Sequence, residues 1–356
     1  MKIIRLLIAL SAVLHAGLLS VRAESSGTSV TIAVVTDLSG PAAQYGKETR
    51  IGAELLKSDL AREGKQLNVV YGDSQLKAVQ GLSEIQKLLS KDDPDAFYVD
   101  FTPVAVAAAP VLKAARKLAV HLSVSTEANR INEFYFKGYL DYVQGCRDVA
   151  SYWKRLGISK VAALKFNGEI GERCIEGAAA VYPGMKEFPF NWGDPMPAIA
   201  EQVKKGGFEA LIFGGYEQDF VNFLQAGSRL RLTVRYGGAE GDTLTEPVKA
   251  QFAKQLEGAI GFNYAVTSEG LKARIKEVDP SNTFQLYEAA LTSYLHLRQL
   301  YEAVAACPRG DVECQKQVLE KSRPDPILGF EGWEDRVAKY DMALKRFTSG
   351  SLEIVR

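Results

Sequence analysis

Short apolar, β-branched runs alternate along this chain with stretches in which apolar residues recur every three or four positions. TIAVVTDL (31–38) is the first run and reads as a buried strand. SGPAAQYG (39–46) follows it and opens a helix, with Ile51, Leu55, Leu56 and Leu60 at helical spacing. Further strands are expected at 67–71, 96–101 and 118–124. Helices are expected between them at 78–89, with Val79, Leu82, Ile85 and Leu89 on one face, and at 104–117. Residues 132–144 loosen into aromatic and glycine residues and read as a crossover. The rhythm then restarts. Helices are expected at 148–156, 170–181, 199–205, 219–229 and 246–256, with strands at 160–166, 187–190, 210–213, 233–237 and 259–264. A long helix over 283–307 has Tyr287, Leu291, Tyr294 and Leu295 on its apolar side. The tail, 330–355, breaks into short strand-like pieces around Ser349-Gly350.

This βαβα order, met twice, predicts an α/β protein of two doubly wound, Rossmann-like lobes with helices on both sheet faces. Strand 259–264 reads as a second crossing between lobes. Ligands bind outside the carboxyl ends of strands in open α/β sheets, and pockets favour domain interfaces. The 39–46 turn lies at such an end. Its helix start leaves N–H groups free to meet an anion or a polar ligand, and Tyr45 is placed to lie against a bound molecule.

The remaining features concern compartment and partners. Residues 1–23 read as a secretory signal peptide: Lys2 and Arg5 precede an apolar stretch over 6–19, and Val21-Arg22-Ala23 offers a small-residue cleavage point. No Cys follows the apolar stretch, so no lipid anchor is expected, and no later stretch is apolar enough to span a membrane. A soluble, exported chain is expected. Without residues 1–23 it keeps 40 basic and 43 acidic side chains, a balance of −3. That speaks against nucleic acid or an anionic membrane as a partner. Four cysteines in an oxidising compartment suggest two bridges, Cys307–Cys314 across a turn-rich loop and Cys146–Cys174, with buried free thiols as the alternative. Neither CxxC nor HxxxH spacing occurs, so no metal is expected.

The stretch VTDLSGPAAQYGKETRIGAEL (35–55) resembles the opening of the type I periplasmic binding proteins of the leucine/isoleucine/valine-binding family. FTPVAVA (101–107), NGEIG (167–171), GGY (214–216) and GAEG (238–241) follow in that family's order and spacing. The resemblance covers nearly the whole chain after residue 23. It implies a Venus-flytrap receptor whose lobes are joined by three crossover segments, the first two near 137–142 and 261–264 and a third near 333–337. Lobe 1 is then expected over 24–139 plus 263–333, and lobe 2 over 140–262 plus 334–356.

The same resemblance implies a ligand site. Tyr45 would be an aromatic lid, against a purely local packing role. Thr102 and Val104 would present the start of a helix to a ligand carboxylate, against a capping role for Thr102. Ser125 and Thr126 would meet an amino acid's ends, with Glu127 solvated beside them. Tyr216 and Glu240 would come from the second lobe, Glu240 accepting a ligand ammonium. Asn167 stands where the family often has Tyr, and is either a ligand contact or a turn residue. Val104-Ala105 in place of a hydroxyl pair, and Glu127, depart from the pattern of amino-acid binders.

The expected function is capture of a small polar organic ligand, an amino acid or a related amide or carboxylate, for delivery to an inner-membrane ABC permease. A monomeric periplasmic protein without a cofactor is implied. The alternative is a sensor presenting the same fold to a membrane kinase or chemoreceptor. An exported enzyme is disfavoured, since GxSxG, HExxH, P-loop and GxGxxG motifs are all missing from the sequence.

Overall fold

The computed structural model describes residues 29–266, 268–280 and 287–355. The expected signal peptide and the expected helix start at 283 lie outside them. The first lobe begins with β1 (Val30–Thr36), α1 (Ala43–Arg62), β2 (Leu67–Asp73), α2 (Ala78–Lys91), β3 (Ala96–Asp100), α3 (Thr102–Ala114), β4 (Leu118–Leu122), α4 (Glu127–Ile131) and β5 (Tyr135–Lys137). The second lobe follows with α5 (Tyr142–Arg155), β6 (Val161–Phe166), α6 (Glu169–Ala179), β7 (Lys186–Phe190), α7 (Met196–Gly206), β8 (Ala210–Gly214), α8 (Glu217–Arg229), β9 (Arg235–Ala239), α9 (Glu240–Thr243), α10 (Glu246–Leu256) and β10 (Ile260–Tyr264). The chain closes with α11 (Glu269–Val278), α12 (Tyr287–Ala305), α13 (Val312–Glu320), β11 (Phe330–Glu334), β12 (Val337–Tyr340), β13 (Met342–Thr348) and β14 (Ser351–Val355).

Two seven-stranded sheets result, in the orders β11-β12-β5-β4-β3-β1-β2 and β14-β13-β10-β9-β8-β6-β7. Strands β1 to β5 are parallel, and so are β6 to β10; β11, β13 and β14 pair antiparallel. Each sheet reverses its strand order once, between β1 and β3 and between β6 and β8. Those reversals open crevices at the strands' carboxyl ends. The central strands are apolar throughout because helices cover both faces: β3 and β8 are buried along their whole length.

Sheet membership changes after Lys137, after Tyr264 and at Asp341. The expected third crossing near 333–337 is therefore displaced. Phe330, Trp333 and Ala338 pack with Leu295 of α12, which keeps both β11 and β12 on the first sheet. The expected boundary at 262/263 likewise cuts β10, whose Asn263 and Tyr264 pair with Ala343 and Met342 of the second sheet. The 132–144 stretch is more ordered than a crossover: it holds β5 and the first turn of α5, capped by Asp141. The apolar face of α2 is also turned. Gly81, Ile85 and Leu88 are buried, whereas Val79 is 83% exposed.

Cys146 of α5 is bonded to Cys174 of α6, and Cys307 to Cys314. The first bridge closes a loop of sequence separation 28 inside the second lobe. Chain entropy assigns such a loop about 3.5 kcal/mol. A double Cys146→Ala, Cys174→Ala variant is expected to lose stability of that order, read as a lower urea midpoint with a somewhat steeper slope, because the unbridged unfolded chain exposes more surface. An unchanged midpoint would show that the bridge constrains nothing.

Candidate functional site

The 39–46 turn is organised by a residue that periodicity does not single out. Asp37 is fully buried at the end of β1, and its carboxylate accepts from the amides of Gly40 (2.5 Å) and Ala42 (2.7 Å). Asp73, at the end of β2, accepts from the Leu38 amide and the Ser39 hydroxyl. The Gly40 and Ala42 amides ahead of α1 are thus held by Asp37, while those of Ala43 and Tyr45 donate to the carbonyls of Gly40 and Ala42. Gly46 lets α1 settle on β1, since a Cβ there would overlap the Asp37 carbonyl. Tyr45, one residue earlier, is aimed out over the sheet's end.

A cavity of ≈ 80 Å³ lies between the lobes. From the first lobe it is lined by Tyr45 and Thr49 of α1, Asp100, Phe101 and Thr102 at the end of β3, and Leu122 and Val124 at the end of β4. Glu288, Ala289 and Thr292 of α12 join them. Tyr139 and Tyr142 stand at the first crossing. From the second lobe come Ile170, Tyr216, Gly241 and Asp242, which follow β6, β8 and β9. All the strand ends that flank the two order reversals therefore converge here.

Asp242 is the polar centre. It is only 6% exposed. Its carboxylate accepts from the Tyr142 hydroxyl at 2.7 Å and from the Tyr45 hydroxyl at 3.3 Å, the latter across the lobes. Burial pushes its carboxyl up to about 7, against the lowering effect of those two hydroxyls. Asp100 accepts from Thr49 Oγ1 at 3.0 Å and is raised by burial to about 6. Glu288 accepts from Asn263 Nδ2, a second contact between the lobes, and is raised by burial and then by neighbouring Glu240. Asn263's own strand, β10, belongs to the second sheet.

Five aromatic residues, Tyr45, Phe101, Tyr139, Tyr142 and Tyr216, line the wall. Tyr45 meets Phe101 edge to face at 6.3 Å between centroids, Tyr139 stacks on Tyr142 at 5.8 Å, and Tyr216 is braced by Phe166 and Trp192. Phe101 is held at φ 68°, in the left-handed region that ordinary side chains avoid. Such strain persists only where the surroundings impose it, and here it turns the chain sharply from β3 into α3.

Of the residues expected from sequence, Tyr45, Thr102 and Tyr216 line the cavity. Thr102 Oγ1 is engaged by the Ser123 hydroxyl and the Val124 amide. Val104 is two positions on, about 200° around the helix, and is buried against Gly81 of α2. Ser125 is buried and accepts from the Glu127 amide, and Thr126 is exposed. Asn167 is exposed and bonded to Asn191. Glu240 points away from the cavity and pairs with Lys345 at 2.9 Å, while Asp242, again two positions on, faces inward. Sequence reasoning missed Asp242, Glu288, Thr49, Phe101, Tyr139 and Tyr142. Thr49 carried a signal, being one helical turn beyond Tyr45 on the same face.

Among the described residues no group of His, Cys, Asp and Glu is arranged to hold a metal ion, and no helix is long and apolar enough to cross a membrane. His121 and His296 are buried and hydrogen-bonded, His121 to Asn129 and His296 to Gly138, Gln299 and Tyr340.

The sequence pattern of periplasmic binding proteins matches residues 29–328. Among solved structures the chain is similar to a type 1 periplasmic binding protein from Bordetella pertussis Tohama I, at 13% identity and TM-score 0.80, over 92% of this chain and 99% of that one. It is similar to the branched-chain amino acid transporter substrate-binding protein LivJ of Streptococcus pneumoniae in complex with isoleucine, at 16% identity and TM-score 0.79, over 92% and 99%. It is also similar to an ABC transporter solute-binding protein of R. palustris in complex with 4-hydroxybenzoate, at 17% identity and TM-score 0.78, over 92% and 95%. No curated protein matches it in sequence. With two seven-stranded α/β lobes, a cleft at both order reversals and a family pattern spanning most of its length, the chain belongs to the periplasmic binding protein family.

Proposed function

We propose that this chain is a periplasmic solute receptor that captures a small polar organic ligand between its lobes and delivers it to an inner-membrane ABC permease. The observation that carries this reading is the cavity itself, walled by both lobes and bridged by the Tyr45–Asp242 hydrogen bond. Contacts from both lobes favour the closed state, so a bound ligand would shift the hinge equilibrium toward it. Tyr45, Thr102 and Tyr216 are ligand contacts on this reading, joined by Asp242 and Glu288. The family's relatives include binders of an amino acid and of an aromatic acid. Amino acids, their amides and small carboxylates are therefore the first set to test. The signal-like N-terminus supports export, and catalysis has no constellation to support it.

A thermal-shift screen over neutral, anionic and cationic small solutes tests the proposal. At least one is expected to raise Tm by several degrees at saturating concentration, since a ligand bound only to the folded state stabilises it. Small-angle scattering with that solute is expected to show a smaller radius of gyration. If no solute of any charge class does either, the receptor reading fails.

A further inference from the structure

Resting on the reading of this chain as a solute receptor, we propose that its cleft takes a small organic ammonium ion that carries no carboxylate. Three independent features of the site point to that ligand.

The first is charge. Asp100, Asp242 and Glu288 line the cavity, and among the described residues no Lys, Arg or His does. Among the described residues neither Asp100 nor Asp242 has an ion-pair partner within 4.0 Å, although both are almost fully buried. A buried carboxylate satisfied only by neutral hydroxyls is costly, and a cation between them offsets that cost.

The second is the wall. Tyr45, Phe101, Tyr139, Tyr142 and Tyr216 surround the same space. Ring faces attract ammonium and alkylammonium groups, and several rings around one volume form a cage suited to them.

The third is what a carboxylate would lack. In the first lobe five amides at the strands' carboxyl ends are engaged: Gly40 and Ala42 on Asp37, Val124 on Thr102, Ser125 on Ser123 and Glu127 on Ser125. Pro103 removes another donor from the first turn of α3. In the second lobe, α6 and α8 both begin with acids, Glu169 and Glu172, then Glu217 and Asp219. Glu169 and Glu172 oppose an anion at the start of α6. An amino acid's ammonium would be welcome here, whereas its carboxylate would meet three acids and no cationic side chain among the described lining residues.

Size narrows the class further. At roughly 10–15 Å³ per water-sized centre, the ≈ 80 Å³ of open space suits a ligand of few heavy atoms.

Calorimetry at pH 8 on the full folded chain tests this with matched pairs: isopentylammonium against leucine, and choline against glycine betaine. At least one carboxylate-free cation is expected to bind at least tenfold more tightly than its carboxylate-bearing counterpart. Asp242→Asn is expected to weaken that binding at least thirtyfold, with circular dichroism unchanged. Tyr216→Leu, a separate variant should the first not fold, is expected to weaken it severalfold. If leucine and glycine betaine each bind as tightly as their partners, or if only anionic or neutral solutes bind, the ammonium proposal is overturned and the receptor reading stands. If no solute of any charge class binds, both fall together.

Discussion

Gly52→Ala is expected to destabilise the protein by roughly 3 kcal/mol, at the upper end of overpacking costs. In an ordinary helix interior the same substitution stabilises by about 1 kcal/mol, because alanine is the better helix former. The sign reverses here because α1 and α12 cross at Gly52. A Cβ at that position would overlap the Ala290 carbonyl oxygen and Ser293 Oγ. Backbone cannot turn aside as a side-chain tip can, so the helices must separate. That separation reaches the site, since α1 carries Tyr45 and Thr49 and α12 carries Glu288 and Thr292, all four on the cavity wall. The variant is thus expected to lose ligand affinity along with stability. Urea denaturation reads the first effect and calorimetry the second. A variant as stable as the parent would show that the two helices are not in close contact at Gly52.

This crossing also shows which parts of the molecule were legible in the sequence. Strands such as β1, β3 and β8 announce themselves as apolar runs, because helices bury both faces of each sheet. The loop at the carboxyl end of β1 follows from topology, which places Tyr45 at the cleft, whereas the family resemblance places Thr102 and Tyr216 there. Elements of weak periodicity were not legible. The three-residue strand β5 is too short to show alternation, and α11 and α13 lie in polar stretches to which the sequence pattern assigns no element. The site's charged centre was missed for a different reason. Near Glu240, helical phase decides which of two acids two positions apart faces the cleft, and the loop pattern fixes position without fixing phase. Glu240 turned to Lys345 and Asp242 turned inward. Glu288 was invisible because it reaches the cavity only through the packing of α12 on the first lobe.

The ligand-free protein is expected to be more stable at pH 6 than at pH 8, by at least 5 °C in Tm. Burial raises Asp242 to about 7 and Glu217 and Glu48 to about 8, and it raises Glu288 as well. Unfolded carboxyls titrate near 4. Between pH 4 and pH 8 the folded chain therefore holds protons that the unfolded chain has released. Stability falls as pH climbs through that window, by up to about 1.4 kcal/mol per pH unit for each such group. Two groups oppose this. Burial lowers His121 to about 3 and His296 to about 4, so they subtract stability as pH falls, but chiefly below the ordinary imidazole value near 6.5. Lys137, lowered by burial to about 8, also opposes the acids, but only above that value, where the unfolded lysine holds a proton that the folded one has released. Between pH 6 and pH 8 the carboxyls dominate. A bound ammonium ion reverses the trend locally, because it favours the ionised forms of Asp242 and Glu288. The increase in Tm produced by a saturating carboxylate-free cation is then expected to grow from pH 6 to pH 8, while the ligand-free Tm falls. Calorimetric scans at several pH values, with and without the cation, read both slopes. A ligand-free Tm that is flat or rising over this range would mean that these carboxyls are ionised and solvated in the folded protein.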